Sequence, residues 1–154
     1  MESFHLNQRG VSNSVLRDFI RTAGVSEDFK GVYPYIDLHT APVSERGDSI
    51  LIINVGAHYV VIFISPQQGF AIYADPLGAG IKRRAVHQYL KNFPNLAVFS
   101  NKKQIQSLAS SHCGPYALLL ALHFDNPAYK LKFDSDAPIK NDEMCMQYLK
   151  KYTA

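Results

Sequence analysis

Three short runs rich in Ile, Val, Phe and Tyr occupy the middle of the chain, at residues 49–55, 58–64 and 70–74. Their length and their β-branched and aromatic content predict strands. "SPQQG" at 65–69 is turn chemistry, so the second and third runs are expected to form an antiparallel hairpin. Upstream, Val15, Leu16, Phe19 and Ile20 recur at helical spacing and Gly24 follows, which predicts a helix over 14–23. Residues 31–48 contain Gly31, Pro34, Pro42 and Gly47 and read as irregular chain. Downstream, the pattern predicts a helix over 81–92 that ends before Pro94, a short strand over 96–99, and a very apolar helix over 114–124. A polar loop with Pro127 and Pro138 then leads to a last helix, expected to be capped by Asn141 with Asp142 and Glu143 in its first turn. Helices at both ends of a largely antiparallel sheet give an α+β architecture, read as one domain over 1–154.

Composition narrows the class. A chain of 154 residues buries about two-thirds of its unfolded surface, enough for a real core. With 47% hydrophobic and 19% charged residues it is globular rather than disordered. The net charge of +3 is a weak bias towards anionic partners. Lys82-Arg83-Arg84 and Lys102-Lys103 are read first as a solvated helix face and a loop, with weak DNA binding as the alternative. Two cysteines, Cys113 and Cys145, make no disulfide framework and fit a reducing compartment. The first fourteen residues hold no apolar stretch, so no signal peptide is expected. The longest apolar tract, over 50–64, is interrupted by Asn54, Gly56 and His58 and is too short to cross a bilayer. The expectation is an intracellular monomer that does not engage a membrane.

Chemistry concentrates in four residues, in the order His58, Asp75, Gln106 and Cys113. A hairpin turning near 66–67 sets His58 opposite Asp75 at its open end, where a carboxylate can fix the tautomer of an imidazole and stabilise its charged form. Cys113 precedes "GPYALLLALHF", and Pro115 suits the first turn of a helix, so the cysteine stands at a helix start that favours a thiolate. Gln106, in the loop leading to that helix, can donate an amide to a developing oxyanion alongside the Cys113 backbone N–H, with Gln104 as its competitor. Taken singly, each residue has an ordinary structural reading: a strand-edge histidine, a turn aspartate, a loop amide, a buried cysteine. Cys145, mid-helix between Met144 and Met146, exemplifies the last. His112 adjoins the nucleophile candidate, while His5, His39, His87 and His123 have no matching context. Metal ligation is disfavoured because no paired spacing such as C-x-x-C occurs, and no cofactor is expected.

At these residues the sequence resembles adenain, the adenovirus protease, and more distantly the SUMO/ubiquitin-like protease superfamily. The adenain pattern is a histidine followed by an aromatic, an acidic residue seventeen positions later followed by Pro, and then Q-S-x-x-S-x-x-C-G at a helix start. Here these segments read "HYVV", "YADPLG" and "QSLASSHCG", over a resemblance that runs from about residue 16 to 124. Tyr59 stands where the family usually has Trp, and Asp75 where adenain has Glu. Adenain's activator-binding cysteine falls at Asn95, so disulfide capture of a peptide activator is not expected.

The likeness implies a papain-like, adenain-like fold with His58 as base, Asp75 as its orienting partner, Gln106 as oxyanion donor and Cys113 as nucleophile. It further implies a viral or virus-derived cysteine endopeptidase that cleaves precursor proteins after glycine during virion maturation. Its setting would be the host nucleus or cytoplasm, or the virion itself. The alternatives are a deubiquitinating or deSUMOylating isopeptidase using the same four residues, and a non-catalytic module that binds nucleic acid through Lys82, Arg83 and Arg84.

Overall fold

The unbroken apolar runs around residues 50 and 60 become intelligible once both faces of the strands are seen to be covered. In the computed structural model they form β2 (Ser49–Asn54) and β3 (Tyr59–Ser65) of a five-stranded sheet. The other strands are β1 (Phe29–Pro34), β4 (Phe70–Ala74) and β5 (Ala97–Ser100), and the spatial order is that of the chain, β1-β2-β3-β4-β5. Around them, among the described residues, lie the α-helices α1 (Asn13–Ala23), α2 (Arg84–Leu90), α3 (Cys113–Asp125) and α4 (Pro138–Thr153). The structure describes residues 13–23, 25–56, 58–102, 104, 106, 113–126, 131 and 138–153.

Alternation along β2 and β3 sorts their side chains into two cores. Ile50, Ile52 and Val61 pack with Leu16 and Ile20 of α1, Tyr116–Leu119 of α3, and Cys145 and Leu149 of α4. Leu51, Ile53, Val60, Ile62 and Ile64 pack on the opposite face with Leu38, Val86, Tyr89 and Leu90. A strand buried on both faces loses its polar alternation, which is why these segments read as continuous hydrophobic runs. Helix α3 is apolar all round for the same reason, with Tyr116, Ala117, Leu118, Leu119 and Leu122 fully buried. Its Tyr116 hydroxyl donates to Asp142 Oδ1 at 2.7 Å, linking α3 to α4 inside the core.

The sheet is mixed. Strands β2, β3 and β4 are antiparallel, as expected, whereas β1 joins β2 and β5 joins β4 in parallel. Strand β1 and the 3₁₀ turn after it, Tyr35–Thr40, occupy a segment that reads as irregular chain. Gly31 (φ 132°), a register shift after Phe29, and Pro34 all argue locally against a strand. Backbone pairing with β2 overrides them, and an edge position tolerates both a bulge and a proline.

Two helix boundaries also move. Helix α2 begins three residues later than the pattern predicts, because Arg83 is held in an extended conformation (φ −85°, ψ 127°) with its Nε–H donating to Val55 O at 2.8 Å. Helix α4 begins at Pro138 rather than after a cap at Asn141. Proline is favoured in a first turn, and Asn141 lies fully buried within the helix. Asp142 turns to Tyr116 instead of serving the helix start.

Packing on α3 sets the stability of the molecule. Leu118→Ala should destabilise it by about 2–5 kcal/mol, the range for a leucine deleted from a close-packed core. Phe99→Ala, on exposed β5, should stay within about 0.5 kcal/mol. Urea unfolding of the two variants measures the contrast.

Candidate active site

The turn between β3 and β4 fixes where His58 and Asp75 fall. Strand β3 runs on to Ser65 and β4 starts at Phe70, so the turn holds residues 66–69. It is closed by Gly69, at φ 77°, whose N–H donates to Ser65 O at 2.9 Å. The register pairs Val61 with Ala74 and Ile62 with Tyr73. One further step sets Asp75 level with Val60, so His58 lies diagonally across from Asp75 rather than directly opposite, a correction of two residues to the expected register. Because side chains alternate with period two, that slip keeps both residues on one face. Diagonal neighbours remain within reach of long side chains. His58 Nε2 meets Asp75 Oδ1 at 2.5 Å.

Asp75 is 2% exposed and His58 17%. Burial alone would raise the carboxyl's pKa. The His58 hydrogen bond, the Leu77 N–H, the charge of His58 and the Ala79 N–H together outweigh it and hold Asp75 below the ordinary carboxylate range. Those donors are geometrically explicit: Leu77 N–H donates to Oδ1 at 2.8 Å and Ala79 N–H to Oδ2 at 3.1 Å. An ionised carboxylate only accepts, so Nε2 is the protonated ring nitrogen that donates to Asp75.

Asn101 was not singled out by its sequence context, yet it anchors the aspartate. Its Oδ1 accepts the Asp75 N–H at 2.7 Å and its Nδ2 donates to Asp75 O at 2.6 Å. A lone asparagine just past a short strand gives no periodic or motif signal. Only the parallel pairing of β4 with β5 brings it to Asp75.

Gln106 is 2% exposed, and its backbone N–H donates to Pro76 O at 3.0 Å, which ties the loop before α3 to the Asp75 turn. Gln104 is the lesser candidate for an oxyanion donor, since its Nε2 donates to Gln106 O at 2.7 Å and braces that same loop. Cys113 opens α3 as expected. Its side chain, and residues 107–112 with His112, lie outside the described part, as does His5. The remaining described histidines are dispersed: His39 lies in the 3₁₀ turn, His87 in α2, and His123 near the end of α3 beside Phe124. Cys145 is fully buried, and burial, together with the charge of Asp142, pushes its thiol strongly up. Among the described residues no three His, Cys, Asp or Glu side chains converge to hold a metal, and no helix is long and apolar enough to cross a membrane.

A pocket of about 290 Å³ opens against the pair, walled by His58, Tyr73, Asp75, Gly80, Lys82 and Arg83. Burial and the neighbouring Asp75 charge push the Tyr73 phenol up to about 12, so it remains a neutral wall.

Two outcomes follow from this geometry. Asn101→Ala should cost about 1–3 kcal/mol in urea unfolding, because the Asp75 N–H and C=O lose their partner where water reaches them poorly. The lowered pKa of Asp75 makes its contribution to stability fully present above about pH 4. That contribution is lost as the pH falls through the depressed folded-state value. Thermal melts from pH 7 to pH 3 should therefore show a shallower acid decline in Asp75→Asn than in the parent chain.

No family model matches the sequence, and no curated protein does. Solved structures do. A SUMO protease Ulp1 with its catalytic cysteine oxidised to a sulfinic acid superposes with a TM-score of 0.57 at 13% identity, over 94% of this chain and 80% of that one. The ASFV pS273R protease superposes with a TM-score of 0.60 at 15% identity, over 96% of this chain and 68% of that one. A de-sumoylating protease gives 0.56 at 15% identity, over 94% and 75% respectively. A five-stranded sheet flanked by helices, with His58 and Asp75 joined at one end of its central strands, is thus the fold that this chain shares with the SUMO protease Ulp1 and the ASFV pS273R protease.

Proposed function

We propose that the chain is a cysteine endopeptidase in which Cys113 is the nucleophile, His58 the general base and acid, Asp75 the residue that orients His58, and Gln106 an oxyanion donor. The observation that carries this reading is the 2.5 Å contact between His58 Nε2 and a buried, ionised Asp75. It occurs within a cysteine-protease fold whose helix α3 starts at a cysteine.

With Nε2–H directed to Asp75, His58 Nδ1 takes the thiol proton. The Cys113 sulfur then attacks the substrate carbonyl carbon, forming a C–S bond and an oxyanion that accepts from the Gln106 amide and the Cys113 backbone N–H. Collapse breaks the C–N bond as His58 passes its proton to the leaving amine. Water, deprotonated by His58, hydrolyses the thioester, and the proton returns to the thiolate.

The substrate is a polypeptide, cleaved after glycine. The sequence likeness to adenain supports a viral or virus-derived enzyme that matures virion precursors, in the host cell or the virion. A second reading is an isopeptidase acting on a ubiquitin-like modifier, favoured by the names of two of the similar structures, a SUMO protease and a de-sumoylating protease. Capsid-precursor peptides and modifier conjugates, offered in parallel, separate the two.

Intact-mass labelling with an electrophile carrying a Gly-Gly tail tests the chemistry. Labelling should be rapid, single-site, and lost only in Cys113→Ala, while Cys145→Ala labels like the parent. Labelling no faster at Cys113 than at Cys145 would sink the proposal. Gln106→Ala should reduce kcat by about 10²–10³, the effect of removing one oxyanion donor. Gln104→Ala should have a smaller effect, through the position of the loop alone.

A further inference from the structure

The pocket beside His58 has a second wall that the chemistry above does not use. It lies on the sheet face covered by α2, because Tyr73 belongs to that core. Helix α3, which Cys113 opens, packs on the opposite face. On the protease reading, from which this inference starts, the acyl carbon is bonded to Cys113 while the departing nitrogen takes its proton from His58. The released segment therefore leaves on the His58 side, towards this pocket.

The far wall is cationic. Lys82 and Arg83 both line it. Arg83 is fixed there: its Nε–H donates to Val55 O at 2.8 Å, and its guanidinium carbon lies 4.2 Å from the centroid of the Tyr35 ring. Gly56, at φ 104°, makes room for it, since a Cβ at that position would stand 2.6 Å from Arg83 Nη2. A guanidinium held by a carbonyl and a ring loses little freedom on binding, and its fork suits a carboxylate. Among the described wall residues the one acidic side chain, Asp75, is answered by His58 and two backbone N–H groups. The charge left facing the cavity is positive.

We propose that this pocket is the leaving-group subsite and that Lys82 and Arg83 make it select an acidic side chain on the segment released by cleavage. The competing role for Arg83, bracing the Val55 backbone and nothing more, predicts no preference among leaving groups.

Peptides with Gly-Gly before the scissile bond, and Asp, Asn, Glu, Gln or Lys at either of the next two positions, decide between them. The acidic members should be cleaved with kcat/KM about three- to tenfold above their amide isosteres, the scale of a half-exposed ion pair. The preference should shrink at high salt and vanish in Lys82→Glu, which sets a negative charge against Arg83 at an exposed position that tolerates the change. Equal rates for Asp and Asn, with a neutral reference peptide still cleaved, overturn the subsite and leave the protease reading standing. Absence of all cleavage counts against the protease reading instead. A measurement without turnover then decides the subsite: a short acidic peptide with a free amino terminus, titrated calorimetrically into Cys113→Ala. Tighter binding than the amide isostere, weakened by adding Lys82→Glu, supports the site, and equal binding overturns it.

Discussion

Asp75 carries a negative charge into the interior where β4 ends, and much of the surrounding chain is arranged to answer it. An isolated buried carboxylate would take up a proton or open the structure to water. Here two backbone N–H groups of the following turn and the ring of His58 close on its oxygens, and Asn101 clasps its own backbone on both sides. Each partner comes from a different part of the chain. The start of β3, the turn after β4, the end of β5 and, through Pro76, the loop before α3 all meet at this residue. Shape at this end of the molecule and charge at its centre are therefore one problem with one solution.

That arrangement also separates the roles of neighbouring polar groups. An ionised Asp75 commits Nε2 of His58 as a donor and so fixes the tautomer of the ring. Gln104, similar to Gln106 in sequence, is drawn into supporting its neighbour's backbone. Cys145 illustrates the opposite environment from the one a reactive thiol requires: fully buried and close to an acidic side chain, it is held protonated.

How much of this could be read in the chain depends on whether the governing contacts are local. The central strands, α1 and α3 declare themselves through apolar content and spacing; the flanking segments point to the His58–Asp75 contact and to Cys113 at the start of α3. The hairpin register misses by two because the pattern fixes which faces are apolar but not how many residues the turn consumes. Strand β1 is hidden because Gly31 and Pro34 obey local rules that pairing with β2 overrides. Asn101 and Arg83 are hidden more deeply. Each gains its role from a partner distant in sequence, Asp75 for one and Val55 with Tyr35 for the other, and single residues of that kind leave no periodic trace. The cap expected at Asn141 fails for a related reason, since the helix starts earlier at a proline and Asp142 is claimed by Tyr116 across the core.

The order in which the two cores are completed has a consequence for biosynthesis. Residues of β2 and β3 emerge from the ribosome early, and the α2 face can be covered soon afterwards by residues 84–93. Their other face is covered only in part by Leu16 and Ile20 of α1 and is completed by α3, whose apolar residues are translated well after the hairpin. Until then the nascent chain displays a strip of Ile and Val that invites aggregation or a chaperone. The helix that completes the cover opens at Cys113, so His58 and Asp75 are both synthesised before the cysteine that begins α3.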